Sequence, residues 1–143
     1  GLAAIPPVIP NFLRQAMRDG TIVVHGDGSQ TRDYVFLDDV VSAMVAAATA
    51  PDIGQRVINI GSGQETSVRE LVRIILDITG SKAEIINNPR NDPGVSRMRA
   101  DIRLAQEKLN YYPQVSLETG LRLTLERDPR FKGERPARSA QRG

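Results

Sequence analysis

The sequence predicts an α/β fold in which short strands alternate with helices, and three observations carry that expectation. The β-branched runs Thr21-Ile22-Val23-Val24 and Val57-Ile58-Asn59-Ile60 have strand composition. Apolar residues recur elsewhere at helical spacing, most clearly Val68, Leu71, Val72, Ile75 and Leu76. The stretches between these segments are short and carry Gly, Pro or Asn, which favours one compact unit. A chain of 143 residues suits a single domain and is long enough to bury a core without staples.

The elements follow in order. Pro6, Pro7 and Pro10 make the first ten residues extended. A helix is expected over 11–18, with Phe12, Leu13, Ala16 and Met17 on one face and Gly20 ending it. A strand over 21–25, a two-glycine loop over 26–30 and a second strand over 34–37 come next. Asp38 or Asp39 caps a helix over 40–49 that turns Val40, Val41, Met44, Val45 and Ala48 inward. Pro51 and Gly54 stop it, and residues 56–60 read as a strand buried on both faces. After the Gly61-Ser62-Gly63-Gln64 turn, Ser67 and Glu70 have capping-box spacing and open a helix over 68–79 that Gly80 closes. A strand over 83–86, a polar loop over 87–95 and two helices over 102–109 and 117–127 complete the body, with Asp101 and Ser116 as the helix caps.

Composition excludes several classes. There is no cysteine, so disulfides and thiolate zinc sites are ruled out, and a cytoplasmic location is expected. No apolar run approaches the roughly 18 residues of a membrane span. The first residues have no basic stretch of the kind that opens a signal peptide. The chain starts at Gly1 instead of Met, as a fragment would. The net charge of +2 is unevenly spread: residues from Arg127 onward carry +4, which leaves −2 on 1–126. The body is therefore no nucleic-acid platform. Residues 128–143 are expected to form a basic, disordered tail.

The most informative stretch is His25-Gly26-Asp27-Gly28-Ser29-Gln30-Thr31-Arg32-Asp33-Tyr34-Val35-Phe36-Leu37-Asp38-Asp39-Val40. It reads as a strand, a glycine hairpin that lets another group approach the backbone, and a strand bearing an arginine. The planar fork of Arg32 suits phosphate oxygens. Asp33 either orients Arg32 or is its ion-pair partner, and the residues alone leave a structural pair and a phosphate site equally open. His25 has no second His and no carboxylate cluster around it, which speaks against a metal site. Asp38-Asp39 reads as a helix start, not as a catalytic pair. Gly61-Ser62-Gly63 reads as a turn leading to the next helix, with a phosphate loop as the competing reading.

This stretch resembles the Gly-Asp-Gly-x-Gln-x-Arg-Asp-aromatic segment of the extended short-chain dehydrogenase/reductases. That family includes nucleotide-sugar 4-epimerases, 4,6-dehydratases and decarboxylases. The resemblance runs over about residues 5–127. It takes in Val8-Ile9-Pro10-Asn11-Phe12, Val57-Ile58-Asn59-Ile60-Gly61-Ser62-Gly63, Asp92 to Asp101, and the closing pattern of a helix, an aromatic-Pro turn and a second helix from Leu104 to Leu125. It implies that residues 1–127 form the sugar-nucleotide-binding C-terminal domain of an epimerase or dehydratase. It implies a UDP- or dTDP-sugar as ligand, with Arg32 on its diphosphate. His25 falls near the nucleotide base, where members often carry Tyr or Asn, and Val23 lines the same pocket. Arg97 matches a second phosphate- or ribose-contacting arginine, with Arg90 and Arg99 as rivals and a solvated surface charge as the alternative.

Two family features are absent from the 143 residues. One is the Gly-x-x-Gly-x-x-Gly loop that seats NAD on a helix N-terminus. The other is Tyr-x-x-x-Lys: the fourth residues after Tyr34, Tyr111 and Tyr112 are Asp38, Val115 and Ser116. The resemblance therefore assigns no catalytic and no cofactor-binding residue here, and it implies that NAD is held by an N-terminal Rossmann half. The isolated chain is expected to be inactive. A UDP-glucose 4-epimerase-like parent is favoured over a dehydratase, a decarboxylase or a non-catalytic binding module. In family members the helix and strand matching 40–49 and 57–60 belong to the Rossmann layer. Self-association or a homodimer is therefore expected when that layer is not there to cover them.

Overall fold

The computed structural model describes residues 7–18, 20–89 and 96–133. Its elements are α1 (Val8–Met17), β1 (Thr21–His25), β2 (Thr31–Arg32), α2 (Leu37–Thr49), β3 (Thr66–Ser67), α3 (Val68–Thr79), β4 (Glu84–Asn88), α4 (Arg103–Leu109), α5 (Leu117–Arg127) and a closing 3₁₀ turn (Pro129–Phe131). The α/β class is as expected. No helix among the described residues is long and apolar enough to cross a membrane.

The larger core is built on β1, β4 and the helices over them. β1 and β4 pair in parallel, Thr21 opposite Glu84 through His25 opposite Asn88. Side chains alternate across a strand, so Ile22 and Val24 face the core while Val23 and His25 face away. α3 lays its stripe of Val68, Leu71, Val72 and Ile75 on that inner face. Phe12, Leu13 and Ala16 of α1 and Leu121 of α5 close it. Each fully buried aliphatic side chain here stabilises by about 1.5–3 kcal/mol. Ser67 caps α3 by accepting the Glu70 amide at 3.1 Å, and Gly80 ends it at a φ of 66°. Phe131 is buried in the same core, so residues 129–131 are ordered where a disordered tail was expected; residues 134–143 lie outside the described part.

α1 begins at Val8, three residues earlier than expected. Pro10 does not prevent this, because it lies in the first turn, where a backbone N–H has no intrahelical partner to lose. β4 covers Glu84–Asn88 instead of 83–86, and α4 starts at Arg103 instead of 102. Asp101 is not the N-cap of α4, but its carboxylate takes the Arg103 amide at 3.1 Å. The Arg103 guanidinium also grips that carboxylate and pushes its pKa down to about 2.

The second cluster is smaller and made largely of alanines. Ala43 of α2 packs with Ala105, Leu109 and Tyr111, with Ala46, Ala47, Ile58, Ile60 and Ile102 around them. Here the sequence reading of α2 is corrected. Its buried residues are Asp39 and Ala43, while Val41, Met44, Val45 and Ala48 point outward. Leu37, Met44 and Val45 are 67%, 66% and 62% exposed. The expected strand over 56–60 is not formed, and Val57 is 87% exposed. Apolar spacing identifies a helix face that avoids water but not what covers it.

Neither Asp38 nor Asp39 is the N-cap of α2. That position falls on Phe36, which contributes no side-chain bond. Asp39 is instead buried, and its two oxygens accept the amides of Gln114 and Val115, each at 3.0 Å. It ties α2 to the segment that leads into α5. Asp38 pairs with Arg127 across the surface. Asp39→Ala leaves two part-buried amides without an acceptor. It should cost about 2–4 kcal/mol in a urea unfolding series, whereas Asp38→Ala should change stability by less than about 1 kcal/mol. Equal costs for the two would contradict this assignment.

Candidate functional site

The glycine-rich segment 26–30 is not a hairpin. The strands on either side of it join different sheets: β1 pairs with β4, and β2 pairs antiparallel with β3, Thr31 opposite Ser67 and Arg32 opposite Thr66. Gly26 and Gly28, at φ values of 71° and 76°, turn the chain from one sheet into the other. Asp27 stabilises the turn by accepting the Ser29 amide at 2.9 Å and its hydroxyl at 2.6 Å. Those bonds, the hydroxyl's foremost, hold its pKa below the usual carboxylate range. The buried Gln30 side chain donates to the His25 carbonyl at 2.9 Å.

The group that approaches this turn is the start of α3. The Gly28 and Gln30 carbonyls accept the Arg69 and Val68 amides, each at 3.0 Å. These are donors that a helix start cannot satisfy by itself. A Cβ on Gly28 would meet Val24 at 3.2 Å and Arg69 at 3.4 Å. The Arg69 guanidinium also donates to the Asp27 carbonyl at 2.6 Å.

Beyond the turn, three chain segments meet side by side. Residues 31–33 lie between β3 and residues 96–100, with the Thr31 amide donating to the Ser96 carbonyl at 2.9 Å. Asp33 ties its own segment to residues 96–100 and to the turn at 62–63. One carboxylate oxygen accepts the Ser62 amide at 2.7 Å and its hydroxyl at 2.6 Å. The other accepts the amides of Gly63 at 2.9 Å and Ala100 at 3.1 Å. Asp33 is therefore not paired with Arg32, as the sequence reading had allowed. A Cβ on Gly61 would come within 2.5 Å of Ala100 and 2.8 Å of the Asp33 carboxylate, so only glycine fits. The buried Tyr111 hydroxyl donates to the Gly61 carbonyl at 2.8 Å from the other side. Burial, and after it the negative charges of Asp39 and Asp33, push the Tyr111 pKa up.

The amides that could have made Gly61-Ser62-Gly63 a phosphate loop are thus taken by Asp33. The turn does not fit the pyrophosphate of a dinucleotide such as NAD, which needs those donors. Among the described residues no group of three or more His, Asp or Glu is placed to hold a metal ion.

The four residues singled out in the sequence divide between two places. Arg32 lies on the central segment, partly buried, with one guanidinium nitrogen donating to the Thr31 carbonyl at 2.7 Å. Arg97 lies on the adjacent segment and reaches Glu65 in a two-pronged pair, with Nε at 3.2 Å from one oxygen and a terminal nitrogen at 2.6 Å from the other. Val23 and His25 are on the outer face of β1, Val23 half-buried and His25 exposed at the strand end. The structure brings Arg32 and Arg97 onto neighbouring segments and joins them to β1 through the glycine turn. Arg99 is exposed beside Glu65, and Arg90 lies outside the described residues. Arg32 and Arg97 both carry planar donors of the kind that suits oxyanions. The Tyr34 hydroxyl is buried with no hydrogen-bond partner among the described residues, and burial pushes its pKa up.

Sequence reasoning missed Asp33 as the clamp and Glu65 altogether. The pattern did contain one signal for Asp33: a Gly-Ser-Gly turn exposes several amides that need an acceptor. Glu65 had none, since it meets Arg97 only through tertiary contact.

Comparison with known proteins bears on this geometry. The sequence profile described as "NAD dependent epimerase/dehydratase family" matches residues 5–61, which include Val23, His25, Arg32 and Asp33. A UDP-glucose 4-epimerase of Mycolicibacterium smegmatis is 41% identical over 119 residues, 83% of this chain and 38% of that protein. A UDP-N-acetyl-alpha-D-glucosaminuronate decarboxylase of Bacillus cytotoxicus is 33% identical over 83% of this chain and 39% of its own length. Among solved structures, the UDP-glucose 4-epimerase of Thermotoga maritima with UDP-glucose superposes with a TM-score of 0.78 at 38% identity, covering 84% of this chain and 38% of that one. The UDP-glucuronic acid 4-epimerase of Bacillus cereus, in complex with UDP-glucuronic acid and NAD, superposes at 0.76 and 30% identity, over 82% of this chain and 38% of that one. The chain belongs to the NAD dependent epimerase/dehydratase family and spans about two fifths of the length of the four relatives named here.

Proposed function

We propose that residues 1–127 are the nucleotide-sugar-holding portion of an NAD-dependent sugar-nucleotide epimerase of the UDP-glucose 4-epimerase type, and that the chain alone does not turn over substrate. The observation that carries this reading is Arg32 and Arg97 on adjacent segments, fixed by the Asp33 clamp, in a chain whose structural relatives include complexes with UDP-glucose and UDP-glucuronic acid. Arg32 supplies the charged donor to the diphosphate, and Arg97 supplies a second. His25 and Val23, on the outer face of β1, take the base. The higher identity to a UDP-glucose 4-epimerase, 41% against 33% for the decarboxylase, favours epimerisation. NAD belongs to the rest of a cytoplasmic parent, since the Gly61-Ser62-Gly63 turn does not fit it.

Titrating UDP-glucose into the 143-residue chain should show saturable binding. Arg32→Ala should weaken it by about 10- to 150-fold, the loss of a hydrogen bond to a charged group at roughly 1.5–3 kcal/mol. No binding, or an unchanged Arg32→Ala, would overturn the reading. So would NAD-dependent turnover by the pure chain.

The outer face of α2 belongs to the same proposal. Leu37, Val41, Met44 and Val45, with Val57 beside the second core, form an apolar surface that a Rossmann layer would cover in the parent. Without that cover two copies bury it against each other. Sedimentation of the isolated chain should therefore show concentration-dependent association that Met44→Lys with Val45→Lys abolishes. A strict monomer at high concentration contradicts this.

A further inference from the structure

Glu65 belongs to no part of the function proposed above, yet it holds Arg97 of the candidate site in a two-pronged ion pair. The Arg97 side chain is 75% exposed and that of Glu65 only 25%, so the carboxylate is the anchored partner and the guanidinium the mobile one. Glu65 is anchored because it directly precedes β3, whose register against β2 is set by Thr66 opposite Arg32. Of the five guanidinium N–H groups, the pair engages the one on Nε and one on a terminal nitrogen. The three that remain include the edge formed by both terminal nitrogens, which has the same planar spacing and fits a second oxyanion. No described residue occupies that edge. Arg99 adds a further positive charge beside Glu65, so the three side chains together stay at +1 and the position still attracts an anion. The hydrogen bonds from Arg97 keep Glu65 charged by holding its pKa below the usual range.

We infer that Glu65 is a positioning residue: its two-pronged grip fixes the guanidinium plane of Arg97 and turns the edge between the terminal nitrogens toward the diphosphate of a nucleotide sugar. This rests on the reading of Arg32 and Arg97 given above. Its physical basis is entropy. An exposed arginine held in advance does not have to give up its rotamer freedom on binding, and that freedom corresponds to about tenfold in affinity.

The test is a double-mutant cycle on the 143-residue chain, with UDP-glucose as probe and Kd as readout. Arg32→Ala reports on the underlying reading and Glu65 on the inference, so the two can fail separately. Glu65→Ala should raise Kd about tenfold, and Glu65→Gln, which keeps one acceptor, should fall between it and the unsubstituted chain. In an Arg97→Ala background Glu65→Ala should change Kd by less than about twofold, because a residue that acts only through Arg97 has nothing left to position. A structural role would give the same loss in both backgrounds, and that overturns the inference. So does an unchanged or tighter Kd for Glu65→Ala with Arg32→Ala still damaging, which would make Glu65 a competitor for Arg97. If Glu65→Ala does not fold by circular dichroism, the isosteric Glu65→Gln in both Arg97 backgrounds decides. Absence of any UDP-glucose binding removes the underlying reading and the inference with it.

Discussion

A single carboxylate holds together the part of this chain where its candidate chemistry lies. Asp33 accepts three backbone amides and one hydroxyl, from a turn about thirty residues away and from a segment about seventy residues away. Those two regions and the strand bearing Arg32 include no long strand of their own: β2 and β3 are two residues each. A pair of two-residue strands supplies little ladder bonding, and isolated short pairings are marginal in water. The carboxylate provides what the ladder does not. Bonds from amides to a charged acceptor are short and strong, and losing the acceptor leaves several donors stranded at once. Gly61 is part of the same arrangement, because any side chain there would occupy the space of Ala100 and of the carboxylate.

Asp39 repeats the device on a smaller scale. It takes two amides of the segment leading into α5 and so connects the alanine-rich second cluster to the larger core. Both acids sit in the Arg32-to-Val40 stretch, where an acid could be read as catalytic. The geometry gives them structural work instead, with their oxygens filled by backbone donors. The amide dipoles aimed at both carboxylates partly offset their charge.

What the sequence revealed and what it hid divide along the line between local and tertiary causes. The helix 68–79, its Ser67 cap and its Gly80 stop, the strand 21–25 and the helix 117–127 with its Ser116 cap are all set by neighbouring residues, and each was legible. The pairing of β1 with β4 was not, because sixty residues separate them and glycines suggested a hairpin that the chain does not make. Val41, Met44 and Val45 marked an apolar face of α2, but the sequence carried no sign that this face would be bare. Of the candidate site, Arg32 stood out in the sequence through its motif. The clamp by Asp33 and the grip of Glu65 on Arg97 were not, since each depends on segments brought together only by the fold.

Amide hydrogen exchange at Ser62, Gly63 and Ala100, compared between the unsubstituted chain and Asp33→Asn, tests the central claim most directly. All three amides should be protected and should lose that protection together in Asp33→Asn, while Leu71 and Ile75 in the larger core keep theirs. Free exchange of the three in the unsubstituted chain, or undiminished protection in Asp33→Asn, would contradict it.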